Sequence, residues 1–179
     1  MIQKADLNDI EAIYSLYSSV ALDVSKIYNN EYISAVQKNG FIVALEEKKD
    51  IEQRIINDTL FVVFKENNNV LGFLNVNKEI YFPQDADNIF WFDKTLKNKY
   101  FHSNQSIELH EIIVDKNHLH QGIARQLLDY SCRELKKKDI KFLFSIVTLD
   151  RLQIALQYYF IQEILLKGLV SRCPLIYSD

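Results

Sequence analysis

The chain has 179 residues and no apolar run long enough to cross a bilayer as a helix, so a membrane partner is not expected. Its opening residues, Met1-Ile-Gln-Lys-Ala-Asp6, lack the apolar core of a secretory signal, and the expected location is the cytoplasm. Positive charge is not in excess. Lys and Arg total 21 against 24 Asp and Glu, a net charge of −3, which leaves no electrostatic case for a nucleic-acid partner. Mild acidity suits a cationic amine better. The two cysteines, Cys132 and Cys173, have no metal-type spacing and read as reduced thiols, not as a disulfide. There is no Gly-x-x-x-x-Gly-Lys-Ser/Thr phosphate loop and no three-glycine dinucleotide fingerprint. With only four glycines and two prolines, each glycine needs a local reason. No repeat, low-complexity linker or domain boundary interrupts the chain, and one domain over residues 1–179 is expected.

What is present is the composition of an ordinary soluble protein, 48% hydrophobic and 25% charged, in a mixed α/β pattern. A short first strand over residues 1–5 precedes a helix that Asp6 can cap, with an apolar stripe of Ile10, Ile13, Tyr14 and Tyr17. Residues 20–45 follow no single period. A charged helix over residues 47–57 shows Ile51 and Ile55 inward. Strands over residues 59–65 and 70–77 flank Glu66-Asn-Asn-Asn69 and read as an antiparallel hairpin. Residues 78–106 are irregular and aromatic, either helices packed over the sheet or a lid. A strand over residues 107–114, a helix over residues 121–138 and a strand over residues 141–148 follow. The helix shows Ala124, Leu127, Leu128, Cys132 and Leu135 on one face. A last helix, apolar nearly all round, is expected over residues 150–166, with Gly168 just past its end. Such a helix is either deeply buried or covered by a second copy, which makes it a candidate homodimer face.

The most informative stretch is Val114-Asp-Lys-Asn-His-Leu-His-Gln-Gly122-Ile-Ala124-Arg125. An apolar strand runs into a polar turn, and a single glycine opens an amphipathic helix. That order aims unpaired N–H groups and the positive end of a helix dipole at one spot, which binds phosphate or pyrophosphate without a basic side chain.

On these residues the chain resembles the GNAT superfamily of acyl-CoA-dependent N-acetyltransferases. Gly122 and Ala124 match the end of the family's Gln/Arg-x-x-Gly-x-Gly/Ala motif, while Leu119 stands where Gln or Arg is usual. Ile2-Gln-Lys-Ala5 with Asp9, and Asn69-Val-Leu-Gly72-Phe73, look like the family's first and third strands. The resemblance implies a central, mostly antiparallel α+β mixed sheet with a splayed strand pair, flanked by helices. It implies acetyl-CoA as co-substrate, its pyrophosphate on the amides of His120, Gln121, Gly122, Ile123, Ala124 and Arg125. The pantetheine arm would then lie along Ile112, Ile113 and Val114. Arg125, Lys116 or the Lys136–Lys138 cluster could meet the adenosine 3′-phosphate. By family position Glu108 is the first candidate base and Tyr159 the candidate acid for the leaving thiolate, with Tyr158 a rival.

Amine acetylation needs a base, and a partly buried carboxylate with a raised pKa would serve. Strict alternation puts Glu108, His110, Ile112 and Val114 on one face, and Leu109, Glu111 and Ile113 on the other. Glu111 is the second candidate base, with His110 assisting. The expected acceptor is a small-molecule or peptide amine, met by residues 20–45 (Tyr28 and Tyr32 are candidates) and the aromatic segment. Two other readings stand beside this one. The first is a coenzyme A-binding or dimerising module without transferase activity. The second is a metal-dependent hydrolase using His118-x-His120, for which no third ligand of suitable spacing is evident, so no metal is expected.

Overall fold

The computed structural model describes residues 1–21, 23–26, 29, 31–32, 47–78, 89–91, 104–149 and 156–163. Tyr28, Cys173, Gly168 and most of the irregular segments 20–45 and 78–106 lie outside the described residues. In chain order the elements are β1 (Ile2–Lys4), α1 (Ile10–Val20), α2 (Lys48–Asn57), β2 (Leu60–Glu66), β3 (Asn69–Asn77), β4 (Ile89–Trp91), β5 (Ser106–Val114), α3 (Ile123–Lys137), β6 (Phe142–Leu149) and β7 (Leu156–Glu163). The strands form one sheet in the order β1-β2-β3-β5-β6-β7-β4. Four neighbouring pairs are antiparallel, and two, β5/β6 and β4/β7, are parallel. The expected mixed, mostly antiparallel sheet is therefore present.

Local chemistry sets the element ends. The Asp6 carboxylate accepts from the Asn8 amide at 2.8 Å and Asp9 answers at the Asp6 amide, a capping box on the 3-10 turn that leads into α1. Asp9 is buried and pairs with the Lys65 ammonium of β2, which ties the start of α1 to the sheet. Asn67 and Asn68 both take positive φ in the hairpin turn, as asparagine tolerates better than most residues.

The sheet carries a core on each face. On one side α3 lays Ile123, Leu127 and Leu135 over Leu60, Val62, Leu74, Val76 and Ile107. On the other, Ile13 and Tyr17 of α1 and Ile51 of α2 cover Phe61, Val63, Phe73 and Ile113. Burying each of these aliphatic or aromatic side chains contributes roughly 1.5–3 kcal/mol. Gly72 lets the layers close. A Cβ there would stand 2.9 Å from the Ile113 carbonyl oxygen and 3.2 Å from Ile123 Cγ2. Glycine at this position thus brings the first residue of α3 down onto β3 and β5.

Two expectations are corrected. Residues 156–163, expected within a long last helix, form β7, antiparallel to β6 with Leu149 opposite Leu156 and Phe142 opposite Glu163. An apolar run has no period that separates buried helix from buried strand, and the aromatic and β-branched content of Tyr158-Tyr-Phe-Ile161 favours the strand. The helix proposed as a homodimer face is therefore not formed over these residues. The second correction is a β-bulge in β5. Glu111 stands opposite Asn75 and Leu109 opposite Val76, so His110 is an extra residue without a partner on β3. Beyond it the alternation is reversed. Ile107, Leu109, Ile112 and Val114 face α3, whereas Ile113 faces α1. Glu108 and Glu111, expected on opposite faces, share the α1 face.

Candidate active site

β5 and β6 start side by side and then part. Ser106, Ile107 and Glu108 pair with Phe142, Leu143 and Phe144, and among the described residues no strand pairs with β5 on that side beyond Glu108. The bulge at His110 follows at once. A bulge bends its strand and sharpens the local twist, which is a sufficient physical cause for the parting. Residues 112–114 therefore run along an edge whose outward backbone groups have no strand beside them.

That edge ends at the turn before α3. Asp115 organises the turn, accepting from the Asn117 amide at 2.9 Å, with its other oxygen 3.1 Å from His118 Nδ1. The Asn117 amide and His118 hold its carboxyl below the usual range. His120 and Gly122 both take positive φ, 61° and 75°. Gly122 is the N-cap residue of α3 and offers no side chain to the first turn. The first intrahelical bond runs from the Gln126 amide to the Gly122 carbonyl at 3.0 Å, and the amides of Ile123, Ala124 and Arg125 have no acceptor among the described residues. A Cβ built on Gly122 would meet nothing within 4 Å, and Gln121, Gly122 and Arg125 are exposed. The corner is open at Gly122. Ile123 is buried and anchors the helix, Ala124 is half-buried, and Leu119 is half-buried where the family motif carries a polar residue.

The ionisable residues of β5 sit on the other side of the strand edge. Glu108 is only 2% exposed and is engaged within the fold. Glu111 has 15% of its side chain exposed, and its Oε2 has no hydrogen-bond partner. Burial pushes its carboxyl up from 4.5 to about 8. His110 Nε2 lies 3.8 Å from Glu111 Oε1. Burial, with a smaller contribution from the Arg54 charge, lowers the imidazole to about 4. Near neutrality the pair is thus a protonated carboxyl beside a neutral imidazole, a carboxyl poised to exchange a proton at mild pH. Family position put Glu108 ahead of Glu111; the bulge, which strict alternation does not anticipate, brings both onto one face.

The remaining candidates fall elsewhere. Tyr158 and Tyr159 lie on β7, with Tyr159 opposite Ile146 of β6 and Trp91 of β4, so the helical setting that pointed to Tyr159 is absent. The Tyr32 hydroxyl accepts from the Asp23 amide at 2.6 Å and is committed to the fold. Burial raises the Cys132 thiol to about 11, which leaves it unreactive as a nucleophile. Among the described residues no group of three or more His, Cys, Asp or Glu could hold a metal, and His118 is turned to Asp115. No described helix is long and apolar enough to cross a membrane.

The parted strands and the open helix start are what the resemblance to the GNAT superfamily implies, and family comparison agrees. The model of the acetyltransferase (GNAT) family matches residues 21–160, and the chain belongs to that family. Among solved structures it is similar to the PaiA N-acetyltransferase of Thermoplasma acidophilum, solved with coenzyme A (TM-score 0.55, 17% identity, 84% of this chain and 80% of that one). It is also similar to an N-acetyltransferase of Staphylococcus aureus Mu50 (0.52, 23%, 82% and 72%). A third is the ribosomal-protein-S18-alanine N-acetyltransferase of Escherichia coli (0.53, 15%, 84% and 68%). At these identities the likeness is one of fold. No curated protein sequence matches the chain.

Proposed function

We propose that the chain moves an acetyl group from acetyl-CoA to a primary amine by direct attack in a ternary complex. The observation that carries this reading is the end of β5/β6 pairing at Glu108, which frees an edge that runs straight to the open corner at Gly122. The coenzyme A in the Thermoplasma neighbour supports the same choice of ligand. The residues present fit it. The amides of residues 120–125, unobstructed at Gly122, would receive the pyrophosphate at the positive end of α3. The edge of Ile112, Ile113 and Val114 would hold the pantetheine arm, and exposed Arg125 and Lys116 would be available to the 3′-phosphate. Acetyl-CoA supplies the activated acyl group, and strand amides near Ile112 polarise its carbonyl.

We assign Glu111 as the base in place of Glu108. A base works best when its pKa lies near the working pH, and the partly exposed Glu111 meets that condition with a free oxygen. The acceptor is a small-molecule or peptide amine. The Escherichia coli neighbour, which by name modifies an alanine of a ribosomal protein, keeps the peptide class in view.

Thermal unfolding with coenzyme A tests the ligand. At a hundred times its dissociation constant a ligand adds about 2.7 kcal/mol of stability. Wild type and Gly122→Ala, whose Cβ enters open space, should shift upward. Gly122→Glu, which points a carboxylate at the phosphates, should not. No shift in wild type would defeat the proposal. Thiol release from acetyl-CoA against an amine panel tests the chemistry. Binding without turnover, unaltered by Glu111→Gln, would favour a coenzyme-binding module instead, a reading that Leu119 in the motif keeps open.

A further inference from the structure

The structure points, we infer, to Asn75 as the positioning residue of Glu111: its amide, directly opposite on β3, turns to serve whichever protonation form the carboxyl holds. The inference rests on the reading of Glu111 as the base. Asn75 and Glu111 are register partners across β3 and β5. Directly opposed side chains in an antiparallel pair have Cβ atoms about 4.5–5.5 Å apart, within reach of a side-chain rotation. Asn75 is 0% exposed, yet neither its Oδ1 nor its Nδ2 has a hydrogen-bond partner among the described residues. Glu111 Oε2, across from it, has none either. Unpaired buried amides are rare because they are costly, and a leucine of similar size would fill the place without that cost.

An amide has what a titrating carboxyl needs. When Glu111 carries the proton, its O–H requires an acceptor, and Asn75 Oδ1 is one. When Glu111 has given the proton up, its oxygens require a donor, and Asn75 Nδ2 is one. Rotation of one side chain exchanges the two. Leucine can do neither, and aspartate only the first. The other groups around Glu111 are fixed in kind. His110 Nε2 is 3.8 Å from its Oε1, and Arg54 of α2 acts on that imidazole. Glu108 shares its face from the same strand. Tyr17 of α1 lies on Phe73, the same-face neighbour of Asn75, with its hydroxyl unpartnered. None of these stands opposite Glu111 in the sheet.

The test is a carboxyl titration. Protein labelled with carbon-13 at the glutamate side-chain carboxyls is followed by NMR against pH, with Glu111 assigned by the signal lost in Glu111→Gln. Asn75→Leu and the strand-favouring Asn75→Val are compared with wild type. In both, the Glu111 midpoint should rise by about one unit or more, the loss of a hydrogen bond to a charged group. The melting temperature should change little, because the lost bond to Glu111 is offset by removal of the amide's burial cost. An unmoved midpoint in either folded variant overturns the inference, as does a lowered melting temperature with no change in titration. The titration requires no acceptor or turnover. Glu111→Gln turnover tests the base assignment alone, so the two claims can fail separately.

Discussion

Glu111→Gln should make the protein more stable at mildly alkaline pH while it abolishes acetyl transfer. Burial raises the carboxyl from 4.5 to about 8, so between those values the folded chain holds a proton that the unfolded chain has released. Stability therefore falls as pH rises through this window. Each unit corresponds to about 1.4 kcal/mol, so the group removes up to about 5 kcal/mol by pH 8 and nothing further above it. His110 acts in the opposite sense. Its imidazole is lowered from 6.5 to about 4, so between those values the unfolded chain binds a proton that the folded chain refuses, and stability rises with pH.

The two slopes cancel between about pH 4.5 and 6.5, and wild type should show a plateau there, then a loss of about 2 kcal/mol up to pH 8. Glutamine has the shape of the neutral carboxyl and no proton to lose. The variant should gain stability up to pH 6.5, the ordinary value for His110, and then level off. The gap between variant and wild type should open from near zero at pH 4.5 to about 3–5 kcal/mol at pH 7 to 8. Urea unfolding followed by far-ultraviolet circular dichroism, at half-unit steps of pH, measures both curves. Parallel curves with a constant gap would show that Glu111 titrates normally, and the base assignment would lose its physical support.

Gly72→Ala should lower stability by about 1–3 kcal/mol, because its Cβ meets the Ile113 carbonyl at 2.9 Å and backbone cannot yield as a side chain can. The same substitution presses on Ile123 and should shrink the coenzyme A thermal shift; a full shift in the folded variant would uncouple β3 from the helix start. Lys65→Met leaves the Asp9 carboxylate, 5% exposed, without its cation and should cost about 3–5 kcal/mol in denaturant unfolding. Adding Asp9→Asn should recover much of that loss, and failure to recover would show that the pair is not the source. Turnover with an acceptor that stays neutral should rise with pH to a midpoint near 8, and a flat profile through that region would contradict Glu111 as the base.

The hairpin, the helix after Gly122 and the parting of β5 from β6 were legible because each has a local or family signature: turn asparagines, a 3.6-residue stripe, a glycine at a helix start. The stretch before Glu163 was misread because an apolar run carries no period. The bulge is the more instructive miss, for its signal is present in β5. Of its apolar residues, those that face α3 stand at 107, 109, 112 and 114, a two-residue spacing broken once by a step of three, while Ile113 faces the other way. Strict alternation would have pushed either Glu108 and His110 or Glu111 under α3, among Leu127, Leu135 and Val76, where the Ser131 hydroxyl is the buried polar group of the helix and, among the described residues, no opposite charge stands. One extra residue at His110 avoids both outcomes. It keeps the β5 residues under α3 apolar and gathers the carboxyls on the other side. It also bends β5 just past its last pair with β6, so one irregularity accounts for both the freed edge and the buried acid beside it. Deleting His110 would therefore do more than shorten a strand. It should leave Glu111 opposite Asn75 on the α1 face, since the remaining residues then alternate regularly, but straighten β5, close the edge against β6 and remove coenzyme binding, whereas His110→Ala, which keeps the extra residue, should spare binding.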